Sequence, residues 1–487
     1  VKKSASALNM LVVSTLVFGF TSVLSGCSSK QSPTEPTPKT AALRAAPVPL
    51  AGSIASQGYL YGYPLVLMDA TRQYATGPQR VCESASEINQ FQHLLSPPDP
   101  SFKAVVRPNV DTLYSIAFLD LSEGPVQLYM PAVQNRFTLM GLYDAYSNNF
   151  AGLGTQLHGE NEALYSIYGP DHKHLVDSSS PTDVESPTNL VWVIGRTEMK
   201  DSTDANDIAK VNAIQQQYQL IPPNPVVARP TVDCIPRDSV NAPLPPDQFV
   251  NSLQAPEFFS LLNTLMAESP PPERDNGIVR RLARIGVGPK ARKSVDNASA
   301  WEKRKLSRGK TAAEQLLNVS VAFSEAGNFG AVPQAIKLGE YDTNYYVRAT
   351  VAIVGFGANR KEFAMYQNTK SDSEGDALDG SQAYRLTFPA DALPPVDAFW
   401  SITLYDSDGF LVENELNRYA LGSNTGLEPN NDGSLTLHFG PAAPADLPIS
   451  NWLPSAPAEP FKLTLRLYAP REEATSGDWA APQVQPY

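Results

Sequence analysis

Arg107-Pro108-Asn109-Val110-Asp111-Thr112-Leu113-Tyr114-Ser115-Ile116-Ala117-Phe118-Leu119-Asp120-Leu121 is the run whose reading decides the fold class. Pro108 has a fixed φ, and Asn109 and Asp111 suit turn capping, so the run opens as a turn. From Thr112 onward it is dense in β-branched, aromatic and aliphatic residues, which predicts a strand over 112–121. Segments of the same character recur at 104–106, 126–130, 137–142 and 190–194, separated by Pro, Gly, Asn and Asp. Such spacing belongs to the strands of a sandwich or barrel.

The pattern returns near the C-terminal end, at 384–388, 398–405, 434–439 and 461–468, divided by Pro394-Pro395, Asp408-Gly409 and Asp432-Gly433. Between the two β-rich parts the period changes. Ile208, Val211, Ile214 and Tyr218 follow helical spacing, as do Phe258, Leu261, Leu262 and Leu265. Further helices are expected over 312–326 and 345–354, although the β-branched residues of the latter would also suit a strand. Ahead of the first β region, Ile54, Gly58, Tyr61, Leu65 and Met68 form an entry helix that Pro64 must kink or restart. The chain therefore reads as mainly β with helical additions: a first β-sandwich domain over 51–200, a helical middle region over 201–335 and a second β-sandwich domain over 336–487.

With 487 residues the chain exceeds what one hydrophobic core usually serves. Its 42 % apolar and 18 % charged content allows a substantial core and excludes general disorder. The formal charge of −12 argues against a nucleic-acid partner, since duplex binding depends on basic residues displacing counterions from phosphates. The most basic stretch, from Arg280 to Lys310, reads as a solvated helical face or a docking patch for anionic lipid or a protein partner.

The N-terminal stretch carries Lys2 and Lys3, an apolar segment from Leu8 to Leu24, and Leu24-Ser25-Gly26-Cys27. This resembles the signal and lipobox of bacterial lipoproteins. The resemblance implies a signal peptide over 1–26, lipidation of Cys27 and attachment to the membrane through that lipid. Ser28 at the following position favours, by the same resemblance, the periplasmic face of the outer membrane. Residues 27–50 are rich in Ser, Pro, Thr and Ala and read as a flexible tether. Cys82 and Cys234 are the other two cysteines; in an oxidising envelope they either pair as a disulfide or stay as separate buried thiols.

Several runs resemble a pair of domain-of-unknown-function families, numbered 1254 and 1214, that commonly share one chain. The first is carried by Tyr61-Gly62-Tyr63-Pro64-Leu65, the run from Arg107 to Ser115, Leu119-Asp120-Leu121-Ser122 and Val191-Trp192-Val193-Ile194-Gly195-Arg196-Thr197. The second is carried by Arg385-Leu386-Thr387-Phe388-Pro389, Pro394 to Ser401, Asn417-Arg418-Tyr419, Asn451-Trp452-Leu453-Pro454 and Leu465-Arg466-Leu467-Tyr468. The resemblance implies two jelly-roll-like β-sandwiches with helical additions in a protein that is often exported, and it implies no established activity.

Candidate chemistry therefore rests on the residues. Arg107, Asn109, Asp111 and Tyr114 place a cation, an amide, a carboxylate and a phenol within one turn-and-strand segment. Arg107 could hold an anion in a bidentate contact and Asp111 could move a proton, or the set could be a structural polar network. Arg107, Asn109 and Asp111 share a side only if strand geometry continues past Pro108. In the second domain Trp400, Trp452, Tyr405, Tyr419 and Tyr468, with Arg348, Arg418 and Arg466, could stack on a sugar or an apolar ligand, or simply fill a sandwich core.

No His-Glu-x-x-His, Gly-x-Ser-x-Gly or phosphate-loop motif is present, so neither a metal nor a cofactor is expected. The expectation is a cell-envelope lipoprotein that binds a small molecule or glycan. Two alternatives stay open: a hydrolase or lyase using Asp111 with Arg107 and Tyr114, and an envelope assembly or interaction protein. Self-association into a homo-oligomer is also left open.

Overall fold

The computed structural model describes residues 53–103, 106–224, 234–237, 239–324, 329, 337–445, 448–457 and 459–487. The expected signal peptide, lipidated Cys27 and tether lie outside these residues. Helix α1 (Ile54–Thr76) comes first, capped by Ser53, whose side chain accepts from the Ser56 amide at 3.1 Å. Next come strands β1 (Gln92–His93), β2 (Thr112–Asp120), β3 (Val126–Met130), β4 (Thr138–Asp144) and β5 (Asn149–Gly154). The short helix α2 (Thr155–His158) leads to β6 (Ala163–Tyr168), β7 (Asp183–Glu185) and β8 (Leu190–Glu198). Helix α3 (Ala205–Gln215) and β9 (Gln219–Ile221) complete this part.

The middle region carries α4 (Pro246–Ser252), α5 (Ala255–Glu268), α6 (Asn276–Leu282), α7 (Ala300–Ser324) and α8 (Tyr345–Val354). The second β part holds β10 (Ala364–Thr369), β11 (Tyr384–Phe388), β12 (Val396–Asp406), β13 (Ala420–Gly422), β14 (Leu435–Gly440), β15 (Trp452–Pro454) and β16 (Phe461–Pro470). Helix α9 (Glu472–Ser476) and strand β17 (Gln485–Pro486) follow. The architecture is mainly β with helical additions and a helical middle region.

Each β part is two sheets face to face. In the first, the order β1-β2-β8-β4-β5 packs against β7-β6-β3-β9, and the core between them holds Ala117, Leu119, Leu128, Met140, Leu142, Ile167, Val191 and Val193. In the second, β10-β16-β12-β13 packs against β15-β14-β11-β17 around Leu386, Phe388, Trp400, Ile402, Leu437, Leu463, Leu465 and Leu467. Strand β8 is buried on both faces from Val191 to Glu198. Val191 and Val193 face the sandwich core, while Trp192, Ile194 and Arg196 point the other way and are covered by other parts of the chain.

Helix α1 continues through Pro64 as one element, so the second helix expected as an alternative does not form. Tyr59, Leu60, Tyr61, Tyr63, Leu65, Val66, Leu67 and Met68 are all buried. A helix that is apolar all round must be enclosed, and α4, α5, α6, α7 and α8 pack about it. Two other expectations are corrected. Val106 lies in a bend instead of a strand, residues 104 and 105 being outside those described. Helix α7 begins at Ala300, twelve residues before the expected start, because its first half is a charged, exposed face with little apolar periodicity.

A disulfide joins Cys82, just after α1, to Cys234, ahead of α4. Backbone bonds flank it: the Cys82 amide donates to the Ile235 carbonyl at 3.1 Å, and the Ile235 amide to the Arg80 carbonyl at 2.9 Å.

Candidate functional site

The face of the first sandwich that turns away from its own core is shared. Phe118, Tyr143, Trp192 and Ile194 pack with Met68 of α1 and with Phe356. Further along the same face, Phe137 and Leu139 meet Ala364, Phe399 and Tyr468 of the second sandwich. Strand register places polar side chains in this seam. Tyr114 of β2 stands opposite Arg196 of β8, while Tyr366 of β10 and Ser401 of β12 both stand opposite Arg466 of β16.

One half of the seam is a closed hydrogen-bond network. Asp111 accepts on Oδ2 from Ser401 Oγ at 2.6 Å and from the Tyr468 hydroxyl at 2.9 Å. Asn109 folds the turn on itself, its Oδ1 accepting from the Asp111 amide at 2.7 Å, while its Nδ2 donates to the Tyr468 hydroxyl at 2.9 Å. Arg466 donates to Thr403 Oγ1 at 2.7 Å, to the Tyr405 hydroxyl at 2.6 Å and to the Arg107 carbonyl at 3.2 Å. Tyr405 in turn donates to the Pro108 carbonyl at 2.7 Å. The turn at 107–111 is thus fastened to the outer face of the second sandwich. Arg107 has φ 54°, a left-handed backbone that breaks strand alternation there, so the side-sharing expected for Arg107, Asn109 and Asp111 does not arise from a continuous strand.

The other half centres on Asn359. Its Oδ1 accepts from the Tyr143 hydroxyl at 2.8 Å and from Arg196 Nη1 at 3.3 Å, and its Nδ2 donates to the Tyr366 hydroxyl at 3.1 Å. Arg196 is 5 % exposed, and its guanidinium carbon lies 5.3 Å from the centre of the Tyr114 ring. Tyr114 and Tyr366 keep part of their surface accessible although both stand on facing inner sheets. Burial raises the hydroxyl pKa of Tyr143, Tyr366, Tyr405 and Tyr468; for Tyr468 the Asp111 carboxylate adds to it. These phenols therefore stay protonated and able to donate at neutral pH.

The structure brings Arg107, Asn109, Asp111 and Tyr114 to the seam together with Tyr405, Arg466 and Tyr468 of the second sandwich, and leaves Arg348, Trp400 and Trp452 elsewhere. Arg348 is buried in the helical region, donating to the Tyr61 carbonyl at 3.0 Å among the rings of Tyr61, Tyr146 and Tyr345. Trp400 lies in the second sandwich core, its ring 5.3 Å from that of Phe388. Trp452 sits on the edge strand β15 and donates to the Gly440 carbonyl at 3.1 Å. Arg196, Tyr366 and Asn359 went unread. The available signal was Arg196 itself, a cation at an alternate position of the otherwise apolar run 191–197. No group of three or more His, Cys, Asp or Glu that could hold a metal occurs among the described residues.

Comparison with known proteins adds the family and the fold. Residues 88–222 match the family described as "Protein of unknown function (DUF1254)" and residues 363–472 the one described as "Protein of unknown function (DUF1214)". No curated protein matches in sequence. Among solved structures, the VPA0106 protein of Vibrio parahaemolyticus superposes with a TM-score of 0.65 at 20 % identity, covering 89 % of this chain and 99 % of that one. A putative uncharacterized protein from Burkholderia cenocepacia gives a TM-score of 0.44 at 12 % identity, over 89 % and 88 % of the two chains. The first of these likenesses supports the fold.

Proposed function

Since the chain carries a DUF1254 domain followed by a DUF1214 domain, families that bring a fold without an activity, we propose that it is a ligand-binding protein of the cell envelope. Its ligand, a small molecule or glycan, is held in the seam between the two sandwiches, and the expected lipid on Cys27 anchors the protein to the membrane. The observation that carries this reading is the pairing of part-accessible tyrosines, Tyr114 and Tyr366, with the buried guanidinium of Arg196 where two sheets face each other. Ligand sites generally combine aromatic side chains with a few convergent polar groups, which is the make-up of these residues.

The hydrolase or lyase reading needs Asp111 free to exchange protons with a substrate. Its carboxylate is instead bonded to Ser401 and Tyr468, so ligand binding is the reading we carry. Thermal-shift screening of the protein against envelope metabolites and glycans tests it, with Tyr366→Phe alongside wild type. We expect a stabilising hit whose thermal shift, taken from each protein's own unliganded Tm, is smaller in the variant; the unliganded Tm itself should fall, since Asn359 Nδ2 loses its acceptor. A library without a hit, or hits indifferent to Tyr366, would remove the seam as a binding site.

A further inference from the structure

The charges around the two buried arginines of the seam assign the ligand a chemical class. Arg466 has a carboxylate near it, Asp111, whose charge acts on the guanidinium, and its Nη donors go to the Thr403 and Tyr405 hydroxyls and the Arg107 carbonyl, while its buried Nε has no partner. Around Arg196 the charges of the described residues that act on it include no such carboxylate. The Tyr114 and Tyr143 hydroxyls stand within hydrogen-bonding range of the guanidinium, Nη1 reaches Asn359 Oδ1 at 3.3 Å and the Ile194 carbonyl at 3.5 Å, and the buried Nε has no partner. Asn359 Oδ1 is already taken by Tyr143, and the Tyr366 oxygen accepts from Asn359, which leaves the Tyr366 O–H as a donor. Tyr114 adds a second phenol beside the guanidinium. Among the described residues Arg196 has no ion pair, and the groups whose charges act on it are the phenols Tyr366, Tyr114 and Tyr143.

Arginine stays protonated in any such setting, and a buried cation without a counter-charge is costly. From this we infer that the Arg196 end of the seam is a carboxylate-binding site, so that the ligand is a small organic acid or an acidic sugar whose carboxylate meets Arg196, Tyr114 and Tyr366. A carboxylate is an acceptor-only, planar anion, and it fits a guanidinium fork flanked by hydroxyl donors in both charge and geometry. The hydroxyls of a neutral sugar could accept from these donors but would bring no negative charge to set against the guanidinium. This inference rests on the binding function proposed above and narrows it.

Isothermal titration with acid and neutral partners of one skeleton separates the two claims: benzoate against benzamide, hexanoate against hexanamide and glucuronate against glucose, on the full chain. For at least one pair, wild type should favour the acid by at least about tenfold, as one charge-assisted hydrogen bond supplies. Arg196→Gln should lose that preference and Arg196→Lys should keep part of it. Equal binding of acid and neutral partner, or a preference that survives in Arg196→Gln, overturns the carboxylate assignment and leaves the binding function standing. Absence of binding by every acid here, together with an empty metabolite and glycan screen, overturns both. Should Arg196→Gln fail to fold, the wild-type comparison decides alone.

Discussion

Gly62 and Gly277 both lie in helices, yet a methyl group added to each would meet opposite surroundings. At Gly62 of α1 a Cβ would stand 2.5 Å from Leu262 Cδ2, where α5 crosses, whereas at Gly277 of α6 nothing lies within 4 Å. Overpacking a core costs about 1 to 3 kcal/mol, against the roughly 1 kcal/mol that alanine gains over glycine in a helix. Gly62→Ala should therefore lower stability and Gly277→Ala raise it by up to about 1 kcal/mol. Urea midpoints at constant m-value would measure both, and a stabilising Gly62→Ala would mean that Leu262 moves aside freely. The tight approach at Gly62 was not legible in the sequence, since helical spacing marks which positions are buried and is silent about which neighbour touches them. Arg196 is a parallel case. Its place in an apolar strand was readable, but its lack of a counter-charge depends on residues as distant as Tyr366 and Asn359.

At the level of elements, the long strands declared themselves. β2, β8, β12 and β16 carry enough β-branched and aromatic residues for alternation or sustained burial to show. The two- and three-residue strands β1, β7, β9, β13 and β15 did not, because such strands are defined by hydrogen bonds to a partner and carry almost no pattern of their own. Tyr345–Val354, ambiguous by composition, is helical and is capped by Asn344, whose side chain accepts from the Val347 amide at 3.2 Å. The disulfide also acts at this scale, tying the segment after α1 to the one before α4 across a sequence separation of 152. In the chain-entropy model a loop of this length contributes about 4 to 5 kcal/mol at most. Replacing Cys82 and Cys234 together by Ser should lower the unfolding free energy toward that limit with far-UV CD unchanged. A loss below about 1 kcal/mol would mean that the flanking backbone bonds already hold the segments together.

For the whole molecule the decisive feature is that one face of the first sandwich is covered partly by helices and partly by the second sandwich. The carboxylate of Asp111 carries two hydrogen bonds across that contact, from Ser401 and Tyr468. Hydrogen bonds to a charged group are worth about 1.5 to 3 kcal/mol, so Asp111→Ala should destabilise strongly. In a double-mutant cycle, Asp111→Ala and Tyr468→Phe should couple by about 0.5 to 3 kcal/mol. Additivity within error would show that the turn at 107–111 does not fasten the sandwiches.

By itself, the sequence determined the two β-rich regions, the helices between them, the paired families and the polar turn with Arg107, Asn109, Asp111 and Tyr114. These are local properties: side-chain period, turn chemistry and ordered motifs all lie within a few residues of one another. Only the tertiary structure decided that Asp111 is spent on Ser401 and Tyr468, that Arg348 and Trp400 are buried within separate cores, and that, among the described residues, phenols and no carboxylate surround Arg196. Those outcomes depend on which buried groups find partners across gaps of hundreds of residues, and hydrogen-bond satisfaction is a sum over neighbours in space that no local pattern contains.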